Sequence, residues 1–262
     1  KAHQYDIGMD LSLFSNSFKV TVDIFQKDTK DLLYNKPTSA VSGFTYKISN
    51  IGSIRNRGLE ITLGGDLSYS DFRWTGDFNI AFVKNRLTSL TDDDDILTTD
   101  DYHALKVGEE VGSFYLIKML GIYQSDEEVP ETLYKEGVRA GDIRYEDVNR
   151  DGRIDTVNDS QFVGSANPLF TGGFSNTFKW RGLDLNIFLT FSYGNQLYQT
   201  WTGGLRLGNG QWPAQRSEAL ARWTGPGTSN TVPRAIYGMT FISKRYNNHR
   251  DLHDASYLRC RS

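Results

Sequence analysis

In the run SFKVTVDIF, Phe18, Val20, Val22 and Ile24 alternate with Lys19, Thr21 and Asp23. Strict period two predicts a β-strand with one apolar and one polar face. The same alternation appears in LDLNIFLTFSY, where Leu183, Leu185, Ile187, Leu189, Phe191 and Tyr193 share a side, with Asp184, Asn186, Thr190 and Ser192 on the other. Trp74, Phe78, Ile80 and Phe82 line up in WTGDFNIAF, and Leu59, Ile61 and Leu63 do so after NRG. Several runs reach about 9 to 11 residues, enough for a tilted strand to cross a bilayer and longer than the ~5 to 6 of an ordinary globular strand.

The connections sharpen this picture. Ser15-Asn16-Ser17, Ser70-Asp71 and Arg181-Gly182 each separate two strands and predict tight hairpins. Between them fall three long connections, roughly Lys27 to Ile51, Thr91 to Pro168 and Asn195 to Ser256. Compact soluble domains seldom carry structureless loops beyond about 15 residues. Outer-membrane barrels combine short periplasmic turns with long extracellular loops. The expected fold class is therefore all-β: an antiparallel transmembrane β-barrel segment of about seven to eight strands, part of a larger barrel, with long extracellular loops. A soluble or surface-attached β-sandwich, stabilised by calcium and binding glycans, is the alternative.

Composition changes this little. Aromatics make up 13% of the 262 residues and there are 25 glycines, a bias toward strands and turns. A mean hydropathy of −0.48 is compatible with a barrel whose interior and loops are polar. The net charge of −3 comes from acids and bases interleaved along the whole chain, without the basic face of a nucleic-acid binder. Cys260 is the single cysteine, which excludes an internal disulfide framework and a cysteine-rich zinc site. No apolar run approaches the roughly 20 residues of a membrane-spanning helix, and KAHQYDIGMD has neither a start Met nor a signal-peptide core.

The most informative chemical motif is GDIRYEDVNRDGRIDTVNDSQFVG, from Gly141 to Gly164. Asp147, Asn149 and Asp151 have the spacing of the first three ligands of an EF-hand-type calcium loop, Gly152 allows the sharp turn, Arg153 offers its carbonyl and Ile154 packs inward. Asp155 and Asp159 complete the candidate set. No bidentate Glu closes the loop and no helical pattern flanks it, which points to a structural Ca²⁺ rather than a sensor. The competing interpretation is an Asx-rich turn whose side chains bond their own backbone.

Other chemistry is weaker. Asp92 to Asp95 is expected to be a solvated loop, and His3, His103, His249 and His253 lack zinc-site spacing. No nucleophile elbow, Walker A sequence or dinucleotide fingerprint occurs, so no catalytic residue and no enzyme activity are expected. Trp201, Trp212, Trp223 and Tyr198 fit interface anchoring, loop packing or contact with a partner better than sugar stacking.

Taken in order, several stretches resemble one family. ISNIGSIRNRGLEITLGGDL, VGEEVGSFYLIKMLGIYQSDEEV, GDIRYEDVNRDGRID, FVGSANPLFTGGFSNTFKWRGLDLNIFLTFSYGNQLYQ, ARWTGPGTSNTVPRA and LHDASYLR follow the series found in SusC/RagA-type TonB-linked outer-membrane proteins, a branch of the TonB-dependent receptors. The resemblance covers nearly the whole chain. It implies an importer with a plugged barrel of about 22 strands, energised through TonB, working with a SusD-like lipoprotein and carrying glycan fragments, peptides or other nutrients across the outer membrane. On that basis residues 1–262 are expected to be a partial β-barrel domain, truncated at both ends, seated in outer-membrane lipid, with the plug that contacts TonB lying outside it. The family pattern continues past DASYLR into further strands ending on a terminal aromatic, whereas here Cys260-Arg261-Ser262 follow.

Overall fold

The structure, a computed structural model, describes residues 1–37, 41, 43–44, 46–90, 96–199, 217–236 and 248–261. Seven strands form one antiparallel sheet in sequence order: β1 (Ala2–Leu13), β2 (Phe18–Pro37), β3 (Tyr46–Tyr69), β4 (Phe72–Leu90), β5 (Phe170–Trp180), β6 (Leu183–Tyr193) and β7 (Tyr257–Arg261). The three expected hairpins are present. At the β5–β6 turn Arg181 and Gly182 both take positive φ, 47° and 84°, as a type I′ connection requires.

The pairing register carries the alternation across the entire sheet. Leu11, Val20, Leu63, Phe78, Phe174, Leu189 and Cys260 are successive partners in one row. The adjacent row reads Asp10, Thr21, Thr62, Asn79, Gly173, Thr190 and Arg259. One face is thus apolar on every strand and the other mainly polar, with Phe25, Val83 and Phe188 as apolar intrusions on the polar side. On the apolar face Tyr5, Ile7, Tyr69, Leu183 and Leu258 are each more than two-thirds exposed. A single continuous sheet with an uncovered apolar face is the layout of a membrane wall. A β-sandwich would bury that face against a second sheet.

Strands and connections differ from expectation above the apolar band. β2 and β3 continue as a paired ladder from Lys27↔Asn56 to Pro37↔Tyr46, so most of the span taken as the first long connection is strand. Leu32 and Leu33 are adjacent there among charged residues, beside the register shift, which breaks the period-two signal while leaving the backbone bonds intact. Asp31, at φ 57°, lies at the register shift between Thr29 and Leu32.

The chain divides into two compact units. The first, residues 1–113, 165–196 and 254–262, contains the seven-stranded sheet. It also holds a small core of Leu87 and Leu105 with Leu32, Ile54, Leu97 and Val111 against them. The second, residues 114–164 and 197–253, is folded as well, although sequence periodicity marks it only as loop. Its core gathers Ile117, Ile122, Tyr123, Leu133, Ile143, Tyr145 and Ile154, with Trp223 packed on it. Its strands, such as Met119–Ile122 and Ile143–Tyr145, are too short to show alternation.

The two faces respond oppositely to charge. In the full-length protein, Leu63→Arg on the apolar face is expected to cost about 2–4 kcal/mol if it lies at mid-bilayer and to abolish outer-membrane assembly. Thr62→Arg on the polar face is expected to assemble normally, as judged by heat-modifiable gel mobility. Equal tolerance of both would contradict the face assignment.

Candidate functional site

Two regions position chemistry-bearing side chains: the Asp/Asn loop of the second unit, and the sheet of the first. In the loop, Asp147 Oδ2 accepts from Gly152 N (2.8 Å), Asn149 Oδ1 from Asp151 N (3.2 Å) and Asp151 Oδ1 from Arg153 N (2.8 Å). Asn149 Nδ2 donates to Asp151 Oδ2 (3.0 Å). Gly152 takes φ 75° and Ile154 is buried in the core, as its place in the motif requires. Asp155 Oδ1 accepts from Val157 N and Asn158 N, each at 2.8 Å. Asp159 is fully buried and clamps both ends of the loop, with Oδ1 accepting from Val148 N (2.9 Å) and Oδ2 from Asp155 N (2.8 Å).

Asp147 Oδ1 stands apart, buried and without a hydrogen-bond partner. A carboxylate oxygen left so is costly unless a cation or water meets it. Among the described residues no three His, Cys, Asp or Glu side chains converge as a cation cage. An ion here would therefore draw also on the Asn149 amide oxygen and the Arg153 carbonyl.

A second cluster in this unit escaped sequence reasoning. Asp142 is fully buried and receives Arg234 through Nε (2.9 Å) and the terminal guanidinium nitrogen (3.0 Å), with Arg139 N donating to the same carboxylate (2.9 Å). Losing one partner of such a buried pair costs about 3–5 kcal/mol. Beside it the Trp223 ring lies over Gly141, which has φ 87° and where an added Cβ would come within 2.5 Å of the indole. Arg234 N donates to Gly141 O (2.8 Å), and Trp223 Nε1 to Gln124 Oε1 (3.1 Å). Gly141-Asp142 opens the stretch GDIRY, and Trp223 and Arg234 belong to ARWTGPGTSNTVPRA. Both stretches carry the family resemblance, so the signal was present as a motif but not as a contact.

Among the other expected candidates, Trp223 is a packing residue, and Tyr198 sits 6.4 Å, ring to ring, from Phe114 within the second unit. Asp92 to Asp95, Trp201 and Trp212 lie outside the described residues. His103 Nδ1 is 3.0 Å from Asp100 Oδ1, and His3 sits opposite Asp28 in the β1–β2 ladder. His249 Nδ1 accepts the Met119 amide (3.0 Å).

On the sheet, the Trp74 indole lies over Gly65 and Gly76, where an added Cβ would come within 2.7 and 2.3 Å of its ring. Its Nε1 donates to Oδ1 of the buried Asn176 (3.1 Å), which satisfies a polar group on the otherwise apolar face. Nearer the long connections, Phe170 packs with Tyr193 (5.1 Å) and Phe82 (5.7 Å), while Phe72 and Phe178 meet near the short turns. Aromatics at both rims of an apolar band match the girdles of outer-membrane barrels.

A family model described as "TonB dependent receptor-like, beta-barrel" matches residues 1–114. TonB-dependent receptor P3 of Formosa agariphila is 30% identical over 99% of this chain. The chain belongs to the TonB-dependent receptors. Receptor SusC of Bacteroides thetaiotaomicron is similar at 23% identity over 99% of the chain, in keeping with the SusC/RagA branch. The RagAB peptide transporter structure superposes with a TM-score of 0.78 over 98% of the chain at 22% identity, a likeness of fold. The chain spans about a quarter of the length of the curated relatives, 26% of P3 and 25% of SusC, and 28% of the RagAB chain. In this receptor the apolar face is the outer-membrane lipid face, the polar face looks into the barrel, and the long connections are extracellular.

His249 is expected to make the second unit pH-sensitive. Burial, and then the nearby Lys118 ammonium, hold its pKa below the ordinary value near 6.5. The neutral ring that accepts from Met119 N is therefore the folded form. Its contribution is complete above about pH 6.5 and is lost as pH falls through the lowered value. Hydrogen exchange at the Met119 amide is expected to accelerate, beyond the intrinsic pH effect, as pH drops from 7 toward 5, and His249→Gln is expected to remove that dependence. A pH-independent protection factor in the native protein would contradict it.

Proposed function

We propose that the receptor containing this chain imports a nutrient across the outer membrane, driven through TonB and assisted by a SusD-like surface lipoprotein. The carrying observation is the continuous apolar-and-polar wall of seven strands together with family membership. Glycan fragments and peptides are the two substrate classes. Peptides gain support from the likeness to a protein described as a peptide transporter, and glycans from the resemblance to the SusC/RagA series. The wall and its folded extracellular unit contribute enclosure and loop surface rather than catalysis, so substrate choice falls to extracellular side chains such as those of the second unit.

Deletion of the gene is expected to abolish uptake of one fluorescent oligosaccharide or oligopeptide class. Collapse of the proton gradient should reproduce the loss, and a surface lipoprotein should co-purify with the tagged receptor. Unchanged uptake across both classes would refute the importer reading.

A structural Ca²⁺ in the second unit belongs to the same proposal. Asp147, Asn149, Asp151 and the Arg153 carbonyl would hold it, supported by the unpartnered Asp147 Oδ1 and by hard oxygen donors at calcium-loop spacing. Asp155 and Asp159 would brace the loop, since their oxygens accept backbone amides. The ion would supply rigidity, lowering the entropy lost when the loop engages a ligand or partner. Terbium luminescence of the purified receptor is expected to saturate and to disappear in Asp147→Asn, and chelator should speed proteolysis between 147 and 159. Absence of terbium binding, with proteolysis indifferent to chelator, would reduce the motif to an Asx turn.

A further inference from the structure

The lipid face changes character at one row. On β3 the side chains that share the apolar face run from Tyr69 up through Leu67, Leu63, Ile61 and Leu59, and the next two are Arg57 and Arg55. Ten residue steps from Tyr69 to Leu59, tilted as barrel strands are, span about 25 Å, the height of an outer-membrane apolar band. Arg57 therefore sits in the first row above the hydrocarbon, on the side of the long extracellular connections. Across β4 its partner is Lys84, and the row above pairs Arg55 with Arg86.

Four cations thus share a small area of the lipid-facing side. Arg55 is committed to Asp28, with Nε 2.6 Å from Oδ1, and Arg57 Nε donates to Gln26 Oε1 (2.8 Å), whose own amide donates to Asp28 Oδ2 (2.9 Å). Glu110, which lines the same hollow, has its Oε2 engaged by Ser165 Oγ (2.9 Å). Among the described residues no carboxylate forms an ion pair with Arg57, Lys84 or Arg86, and all three are exposed. Directly below opens an apolar groove of about 470 Å³, floored by Tyr5, Ile7, Ile24, Leu59 and Phe82 and rimmed by Arg57 and Lys84.

A nutrient inside the barrel cannot reach this face, and four cations set against the two carboxylates Asp28 and Glu110 leave an excess of positive charge beside hydrocarbon that favours an anion delivered from the membrane side. We propose that the β1–β4 face is a specific site for a phosphate-bearing, multiply acylated lipid of the outer leaflet. Its acyl chains lie in the groove over Tyr5, Ile7 and Ile24, and its phosphate is received by Arg57, Lys84 and Arg86. Charge complementarity and continuity of the groove with the lipid belt select this occupant over a second protein. Phe170 and Tyr193, at the same rim on β5 and β6, present rings instead of cations, so the site is local to β1–β4.

The test uses the full-length receptor in maltoside detergent, titrated with lipid A and with enzymatically dephosphorylated lipid A and followed by native mass spectrometry. Phosphorylated lipid A is expected to bind at least tenfold more tightly than the dephosphorylated form. The triple variant Arg57→Gln/Lys84→Gln/Arg86→Gln should lose that preference, while Lys19→Gln, on the polar face, should keep it. The comparison of the two lipids on the native receptor decides the matter even if the triple variant fails to assemble. Equal binding of both lipids overturns the proposal. So does displacement by millimolar inorganic phosphate alone, which would make the row a free-anion site. A change of oligomeric state in the triple variant with lipid preference intact would make the face an interface between copies, and overturns it as well.

Discussion

Hydrocarbon offers no partner for a backbone amide, so every N–H and C=O in a membrane wall must be paired with the next strand. That constraint organises the first unit. Once the ladder from β1 to β7 is formed, the side-chain period is forced to two, and a register slip of one residue anywhere would turn an entire strand's apolar set inward. The row from Leu11 to Cys260, and the polar row beside it, are the result. Polar groups on the lipid face are admitted where a neighbour satisfies them, as Trp74 does for Asn176.

Outside the hydrocarbon the same backbone is free to do other things. Above Arg57 the β2–β3 ladder continues without a regular apolar alternation. The second unit builds an ordinary buried core, stitched by the Asp142–Arg234 pair and the stacking of Trp223 on Gly141. These bonds give extracellular chain a fixed shape. An ordered loop loses less entropy on binding any partner than a flexible one.

How much of this could be read in the sequence follows from where the physics leaves a periodic trace. Leu183 to Tyr193 alternate, with Phe188 the one exception, because lipid faces one side, and that segment is β6 to the residue. Lys27 to Pro37 and Tyr46 to Ile51 are equally strand, yet the adjacent Leu32 and Leu33 at the register shift break the alternation, so they read as loop. Asp147, Asn149 and Asp151 were visible because the turn chemistry is local in sequence. Asp142 and Arg234, 92 residues apart, were not, because a long-range ion pair leaves no spacing to detect. The basic row was hidden for a related reason: Arg55, Arg57, Lys84 and Arg86 become one patch only when β3 and β4 pair.

The most direct measurement of the central claim is spin labelling along β6 in the full-length receptor, in outer membranes, on a Cys260→Ser background. Labels placed singly from Leu185 to Phe191 should alternate. Those at Leu185, Ile187, Leu189 and Phe191 should collide preferentially with oxygen dissolved in lipid, and those at Asn186, Phe188 and Thr190 with a water-soluble nickel chelate. Uniform exposure to the chelate at every position would contradict a membrane wall, whatever the family resemblance.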